Sequence, residues 1–229
     1  MTVRWPANAC LKSPAANCRP MRKCRCGNRF ACDHSMDPVS LTDLKGAIRA
    51  DSLGIGQGGL QVNRVTTDSR DIRPGDLFWA LPGERHDGHE FVASALAQGA
   101  LAAVIDHQHQ TSTAGPRLVV PDTHRALADL AGWYRLRNEA LVIGVTGSVG
   151  KTTTRELLYS VLSVRYAGLR SRKNFNNEIG LPLSVLDLGS EHEFAVFELG
   201  AARVGDIRAL CEIAAPEVGV ITRIGPAHL

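Results

Sequence analysis

Residues 146–153 read T-G-S-V-G-K-T-T and lie between the apolar run 141–145 and T-T-T-R-E-L-L-Y-S-V-L, whose apolar spacing is helical. Side chains of these types at this spacing can grip a nucleoside triphosphate. Gly147 and Gly150 let the N–H groups of Gly147, Ser148, Val149 and Gly150 converge on phosphate oxygens with no Cβ in the way. Lys151 supplies a point positive charge for the β and γ phosphates, and the hydroxyl of Thr152, followed by Thr153, suits Mg2+. The starting helix adds the positive end of its dipole. The general pattern G-x4-G-K-[ST] requires glycine at 145, where this chain has Val145, so the motif is missed by one place. The apolar strand before it and the helix after it are the context that ATP binding needs; a plain glycine-rich turn is the alternative. Such a loop names no reaction, because kinases, GTPases, motors and ligases share it.

Other residues could do chemistry. Glu198 ends the apolar run E-F-A-V-F-E, at the carboxyl end of an expected parallel strand, where open α/β sheets place their ligands. A carboxylate there suits Mg2+, or is simply a surface acid. Asn176 and Asn177 precede an apolar helical stretch and could cap it. The run R-S-R-K at 170–173 reads as a solvated basic face or as a patch that steers an anion. His228, by itself, would more often be structural, and His86, His107, His109, His124 and His192 fit no constellation.

The elements that must position these residues follow from periodicity. S-L-T-D-L-K-G-A-I-R-A from Ser40 has a capping residue and apolar positions 41, 44, 47 and 48, so it is expected to be a helix. Gly54, Gly56 and Gly59 satisfy G-x-G-x-x-G, but a helix is expected before them and the alternating L-Q-V-N-R-V-T-T-D-S-R after them, so they are turn residues rather than a dinucleotide site. Strands are expected in D-L-F-W-A-L-P-G, L-A-A-V-I-D and R-L-V-V-P, with helices over 90–98 and 122–137, the latter capped by Asp122 and carrying Leu127, Leu130, Ala131 and Tyr134 on one stripe. Strands 141–145, 193–199 and 218–222, with helices after the loop and over 204–214, begin a second unit. The fold class is therefore α/β: a small amino-terminal α/β substrate domain over 37–138, then a truncated phosphate-loop domain with a doubly wound parallel sheet over 139–229.

Composition narrows the function classes. The 229 residues are 44% hydrophobic, enough for real cores. The formal charge of +3 comes from residues 1–36, which carry seven Arg or Lys and Asp33 as their one acid; the remainder has 19 basic and 22 acidic residues, so there is no footprint for nucleic acid. No apolar stretch approaches the ~18 residues of a membrane span. Residues 1–36 hold five of six cysteines with no periodicity, and read as a disordered leader or a misassigned start with Met36 opening the folded protein. A zinc set of Cys24, Cys26, Cys32 and His34 matches no common spacing. Cys211, in a helical pattern, reads as core, and a reducing cytoplasm fits.

The loop T-G-x-x-G-K-T-T resembles the Mur ligase family, ATP-dependent enzymes that build the peptide of bacterial peptidoglycan. N-F-N-N-E-I-G-L-P-L-S-V-L (174–186), F-E-L-G-A-A-R-V-G-D-I (197–207) and A-P-E-V-G-V-I-T-R-I-G-P-A-H-L (215–229) resemble its central domain, and T-T-D-S-R-D-I-R-P-G-D-L-F-W-A-L-P-G-E-R-H-D-G-H-E-F (66–91) resembles its UDP-binding amino-terminal domain. Glu198-Leu199-Gly200-Ala201 resembles the branch that adds D-alanyl-D-alanine to UDP-N-acetylmuramoyl-tripeptide; the branch that adds the preceding, third amino acid is the alternative within the family. The resemblance implies an acyl-phosphate route with ATP and Mg2+ as cofactors. Lys151, Glu198 and His228 would be catalytic; Thr152, Glu198 and His228 would hold metal. Asp68, Ser69, Arg70, Asp87, Gly88, His89, Asn176 and Asn177 would touch substrate. It further implies UDP-N-acetylmuramoyl-tripeptide and D-alanyl-D-alanine as partners, a monomer, and a carboxy-terminal domain and downstream metal-bridging lysine that this sequence does not contain. The expectation is thus a ligase whose first 229 residues do not turn over alone, against the alternative of a non-catalytic module that binds UDP-muramoyl peptide or ATP.

Overall fold

Ser40 has an extended backbone and its hydroxyl accepts from the Asp43 N–H, which starts the first helix where the capping pattern placed it. The computed structural model describes residues 36–54, 59–83, 86–109, 115–172 and 174–225. The expectations for residues 1–35, Gly56 and His228 lie outside them. Met36 is buried, and its N–H donates to the Asn63 carbonyl.

In chain order the front part comprises β1 (Val39–Ser40), α1 (Leu41–Ile48), β2 (Asp51–Leu53), β3 (Gln61–Val62), β4 (Arg64–Thr66), β5 (Asp76–Trp79), a 3-10 turn (Gly88–Phe91) running into α2 (Val92–Ala97), β6 (Ala102–Asp106), a second 3-10 turn (His107–His109), β7 (Arg117–Val120) and α3 (Thr123–Arg135). β1 and β3 pair antiparallel; the main sheet has the order β2-β7-β6-β5-β4, parallel from β4 to β7. β2 was not expected. It follows α1 directly and pairs antiparallel with β7, so a strand, not only a helix, precedes Gly54. Three residues of D-S-L carry too little pattern to announce a strand.

The second part comprises β8 (Leu141–Thr146), α4 (Lys151–Leu162), β9 (Gly168–Arg170), α5 (Gly180–Leu186), β10 (Phe194–Glu198), α6 (Asp206–Ala214) and β11 (Val218–Ile221). Its sheet is parallel throughout, in the order β11-β8-β10-β9. Strand alternation divides its side chains between two faces. Ile143, Val145, Phe194 and Val196 pack under α4 through Leu158, Tyr159 and Leu162, whereas Val142, Ala195, Phe197 and Leu199 face α5 and α6. Helices on both faces make the sheet doubly wound, as expected.

α3 packs against α1, α5 and α6, so Leu127, Leu130, Ala131 and Tyr134 share one core with Leu181, Val185 and Leu210. Polar bonds fix that packing. The Tyr134 hydroxyl donates to the Leu188 carbonyl and accepts from the Asp37 N–H at 2.9 Å. Burial, first of all, pushes its phenol above the ordinary value, so it stays a donor. Arg135, 4% exposed, donates from Nε to the Ala214 carbonyl at 2.9 Å and from Nη2 to Glu217 at 2.7 Å; the other Glu217 oxygen accepts from the Val142 N–H at 2.7 Å. Tyr134→Phe leaves the Asp37 N–H and the Leu188 carbonyl without this partner, and the expected cost is about 1–3 kcal/mol, read as a lower urea midpoint at unchanged slope. An unchanged midpoint would mean that apolar packing alone joins α3 to the second sheet.

Candidate functional site

β8 delivers the chain to the loop, and its register explains the departure at position 145. Val145 is fully buried, paired with Glu198 of β10 on one side and Val220 of β11 on the other, so it belongs to the strand, and the turn begins two residues later. Gly147 and Gly150 have φ of +136° and +93°, where an L side chain is strained. A Cβ on Gly147 would also collide with the Thr222 hydroxyl. Residues 222–225, after β11, clamp the loop: Ser148 N–H donates to the Arg223 carbonyl at 2.7 Å, the Ser148 hydroxyl to the Gly225 carbonyl at 2.7 Å, and the Thr222 hydroxyl to the Val149 carbonyl at 2.8 Å. Gly150 is the N-cap of α4 and offers no side chain, which leaves the first turn of the helix open toward the loop. Lys151 Nζ lies over that turn, 2.7 Å from the Gly147 carbonyl.

Glu198 sits at the end of β10, 4% exposed, with donors from three directions. The Thr152 hydroxyl donates to Oε2 at 2.9 Å, Asn176 Nδ2 to Oε1 at 2.9 Å, and Arg155 Nη1 lies 3.5 Å from Oε2. The Glu198 N–H donates to the buried Ser171 hydroxyl at 3.1 Å. A carboxylate and an aliphatic hydroxyl 2.9 Å apart are the hard oxygen donors that Mg2+ prefers. The structure thus brings together Lys151, Thr152, Glu198 and Asn176. Asn177 stands apart from Glu198 in role: its side-chain oxygen accepts from the N–H groups of Ile179 and Gly180 at 3.3 and 2.8 Å, one of the two readings open for it, although the N-cap position of α5 itself is Ile179. Asn176 is not a cap; besides its bond to Glu198, its carbonyl accepts from Gly200 N–H at 2.7 Å.

Sequence reasoning missed Arg155. It is 3% exposed on α4, and its fork reaches Glu156 at 2.6 Å as well as Glu198, Ser171 and the Arg172 carbonyl. Its signal was an arginine on the helix stripe that faces the sheet. The described part of the run 170–173 is also not a free basic face. Arg170 stacks on Tyr159 and pairs with Glu156 at 3.2 Å, and Arg172 grips Asp187 with both carboxylate oxygens at about 3 Å.

In the front part, Asp68 and Arg70 leave β4 as a two-bonded pair at 2.8 and 2.7 Å, with Arg70 exposed. Hydrogen bonds from the Arg70 side chain and backbone hold the Asp68 carboxyl down at about 2, so it is an anion at neutral pH. Gln98 fastens the turn by donating to the Ser69 carbonyl. Asp87 caps the 3-10 turn, and the three leading N–H groups are consumed internally: Gly88 donates to Leu81, His89 to the Asp87 carboxylate, Glu90 to the Asp87 carbonyl. Any ligand contact at Asp87, Gly88 and His89 therefore falls to side chains rather than to free N–H groups. Gly88 is glycine because a Cβ would meet the Leu81 backbone at 2.6 Å. One expectation is corrected: His109 does belong to a constellation, stacked on His89 with ring centroids 4.0 Å apart, between Asp87 and Asp106.

Comparisons with known proteins point to one family. The family model for the Mur ligase middle domain matches residues 145–229, and that for the Mur ligase family, catalytic domain, matches 61–135. The UDP-N-acetylmuramoyl-tripeptide–D-alanyl-D-alanine ligase of Synechocystis is 43% identical over 74% of this chain and 38% of its own length. The crystal structure of MurF from Acinetobacter baumannii superposes with a TM-score of 0.78 at 40% identity, over 85% of this chain and 43% of that one. The MurF ligase of Thermotoga maritima, solved in complex with ADP, gives 0.66 at 40% identity over 72% of this chain and 38% of that one. The chain therefore spans about two fifths of the length of these relatives. Among the described residues no helix is long and apolar enough to cross a membrane.

A double-mutant cycle tests whether Arg155 and Glu198 act as one unit. Arg155→Met and Glu198→Gln should each destabilise, with a coupling of about 0.5–3 kcal/mol by urea denaturation, as expected for groups in one network. A coupling within error of zero would leave Arg155 as a packing residue.

Proposed function

The chain belongs to the Mur ligase family, and from that premise we propose that it is the substrate- and nucleotide-binding part of an ATP-dependent ligase that joins D-alanyl-D-alanine to UDP-N-acetylmuramoyl-tripeptide. The observation that carries the reading is the contact between the Thr152 hydroxyl and Glu198 at the end of a phosphate loop. Its support against the third-residue branch is the set of relatives, each named for D-alanyl-D-alanine addition.

Amide formation from a carboxylate needs a leaving group. In the proposed reaction a substrate carboxylate oxygen takes the γ-phosphoryl group from ATP and ADP departs. The dipeptide amine nitrogen then attacks the acyl carbon, the C–O bond breaks with its electron pair on phosphate, and the amine loses a proton. The protein has to hold anions close together and offset the charge that develops on the transferring group. The start of α4 and the loop N–H groups other than that of Ser148, which donates to the Arg223 carbonyl, would face the phosphates, with Thr153 beside them, and Lys151 would swing from the Gly147 carbonyl to the γ-phosphate. Thr152 and Glu198 would hold Mg2+, which would supply positive charge to offset that of the phosphates, and the resemblance would add His228 as a further ligand. Asn176 and Arg155 keep Glu198 aimed at the loop. Asp68, Ser69 and Arg70, with Asp87, Gly88 and His89, would take the uridine diphosphate, the Arg70 fork exchanging one Asp68 oxygen for phosphate. Asn177 supports the substrate side by fixing the start of α5. The need for ATP and a UDP-linked substrate supports a cytoplasmic reaction.

Calorimetry of this chain with ATP and Mg2+ should show one site, weakened at least about tenfold by Lys151→Ala, the size of one lost charge-assisted contact. In the gene product that contains the chain, phosphate release should require both the UDP-tripeptide and D-alanyl-D-alanine and fall about a hundredfold or more in Lys151→Ala. Undiminished ATP binding in that variant would remove the loop from the mechanism; phosphate release without the dipeptide would remove the ligase.

A further inference from the structure

We propose that Asp87, His89 and His109 form a binding site for a single divalent transition-metal cation such as Zn2+, separate from the Mg2+ and ATP site and sharing Asp87 and His89 with the turn proposed to meet the uridine diphosphate. One ligand atom from each of the three lies within 4.8 Å of the others. They come from two different segments: Asp87 and His89 from the 3-10 turn before α2, His109 from the 3-10 turn after β6.

The arrangement has the floor, the mouth and the outer support that such a site requires. The His89 ring is the floor, with 1% of its side chain exposed, while Asp87 and His109, at 33% and 31%, leave an opening to solvent. Asp106 lies behind both rings. Its Oδ1 is 2.7 Å from His109 Nδ1 and its Oδ2 is 3.6 Å from His89 Nε2. A carboxylate that accepts from the far nitrogen of an imidazole fixes the tautomer in which the near nitrogen is free for a metal, and raises its basicity. For His109 this places Nε2 toward Asp87 Oδ2, 3.4 Å away. His89 now accepts the Asp106 N–H on Nε2 at 3.1 Å and faces Asp87 Oδ1 with Nδ1 at 2.6 Å. Binding requires two changes there: the His89 proton moves from Nδ1 to Nε2, and the rings, now stacked with centroids 4.0 Å apart, turn so that both lone pairs meet at the cation and His89 Nε2 leaves the Asp106 N–H to donate to Asp106 Oδ2. Burial pushes the Asp87 and Asp106 carboxyls up, but hydrogen bonds and charge from the two histidines outweigh it and both sit below the ordinary carboxylate value, so two anions face the rings.

The donor set selects the cation. Two imidazoles and one carboxylate suit Zn2+, Co2+ or Ni2+ and disfavour Mg2+ and Ca2+, which take oxygen ligands. Three protein ligands leave a fourth tetrahedral position for water. Such an ion would cross-link the turn at 87–89 to the end of β6 and hold the edge of the front domain in one shape.

The test uses the full, reduced 229-residue chain, stripped with chelator and titrated with Co2+ and Zn2+. The expected result is one equivalent whose visible cobalt spectrum lacks a thiolate charge-transfer band, which separates this site from the cysteines of residues 1–36. That component should disappear in His109→Ala, weaken about tenfold or more in Asp106→Asn, and resist millimolar Mg2+. Zn2+ should also raise the melting temperature of the wild type but not of Asp87→Asn, a comparison that stands even if one variant folds poorly. No binding, a purely thiolate spectrum, or wild-type affinity in His109→Ala would each overturn the site.

Discussion

A carboxylate at the end of a buried strand organises the second half of this molecule. Glu198 is held almost out of water, where an unpaired charge costs several kcal/mol, so donors must converge on it. They come from two places in the chain, Thr152 and Arg155 on α4 and Asn176 before α5, while the Ser171 hydroxyl after β9 accepts from the Glu198 N–H. Meeting that one demand fixes the helix that begins at the phosphate loop against the sheet, and ties the otherwise long connection between α4 and β10 to the same point. A site that can hold a cation is therefore not added to the fold; the donors that stabilise the carboxylate are the groups that keep it beside Lys151.

The first half is joined to this arrangement by α3. Its apolar stripe is part of a core that runs from Trp79 and Leu118 to Leu181 and Leu210, and its polar residues serve opposite ends. Asp122 caps the start while the Trp79 indole donates to the Thr123 carbonyl, and Arg135 closes the far end onto Ala214 and Glu217. Because Glu217 also accepts from the Val142 N–H of β8, the strand that leads to the loop is positioned from the front half. The two sheets, with the turn after β4 on one and the glycine-lysine loop after β8 on the other, are thus joined by one helix.

What could be read from the sequence was whatever depends on local pattern. The cap at Ser40, the stripe on α3, the apolar strands β5, β6, β8 and β10 and the glycine-lysine loop all announce themselves within a few residues. What could not be read depends on pairing across the chain. β2 and β9 are three residues each and exist because a neighbour offers a ladder. Arg135 and Arg155 look like surface arginines until the carbonyls and carboxylates they satisfy, up to 82 residues away, are in place. His109 has no signal at all in a stretch of polar residues; only the parallel pairing of β5, β6 and β7 brings it over His89.

Val145 shows how far a motif can drift without losing its physics. A glycine at the first position of the usual loop lets the chain turn early; here the strand runs on to Thr146, and the turn is compressed into Gly147 to Gly150. A shorter loop has fewer backbone groups to brace itself, and the bracing comes instead from Thr222, Arg223 and Gly225 after β11, which occupy Ser148 and Val149 from outside. The segment that braces the loop is the one that continues to His228. Movement of the loop must then be felt along residues 222–225, and displacement of that segment must be felt at the loop. Coupling of this kind needs no signal across the domain, because the two ends share four hydrogen bonds.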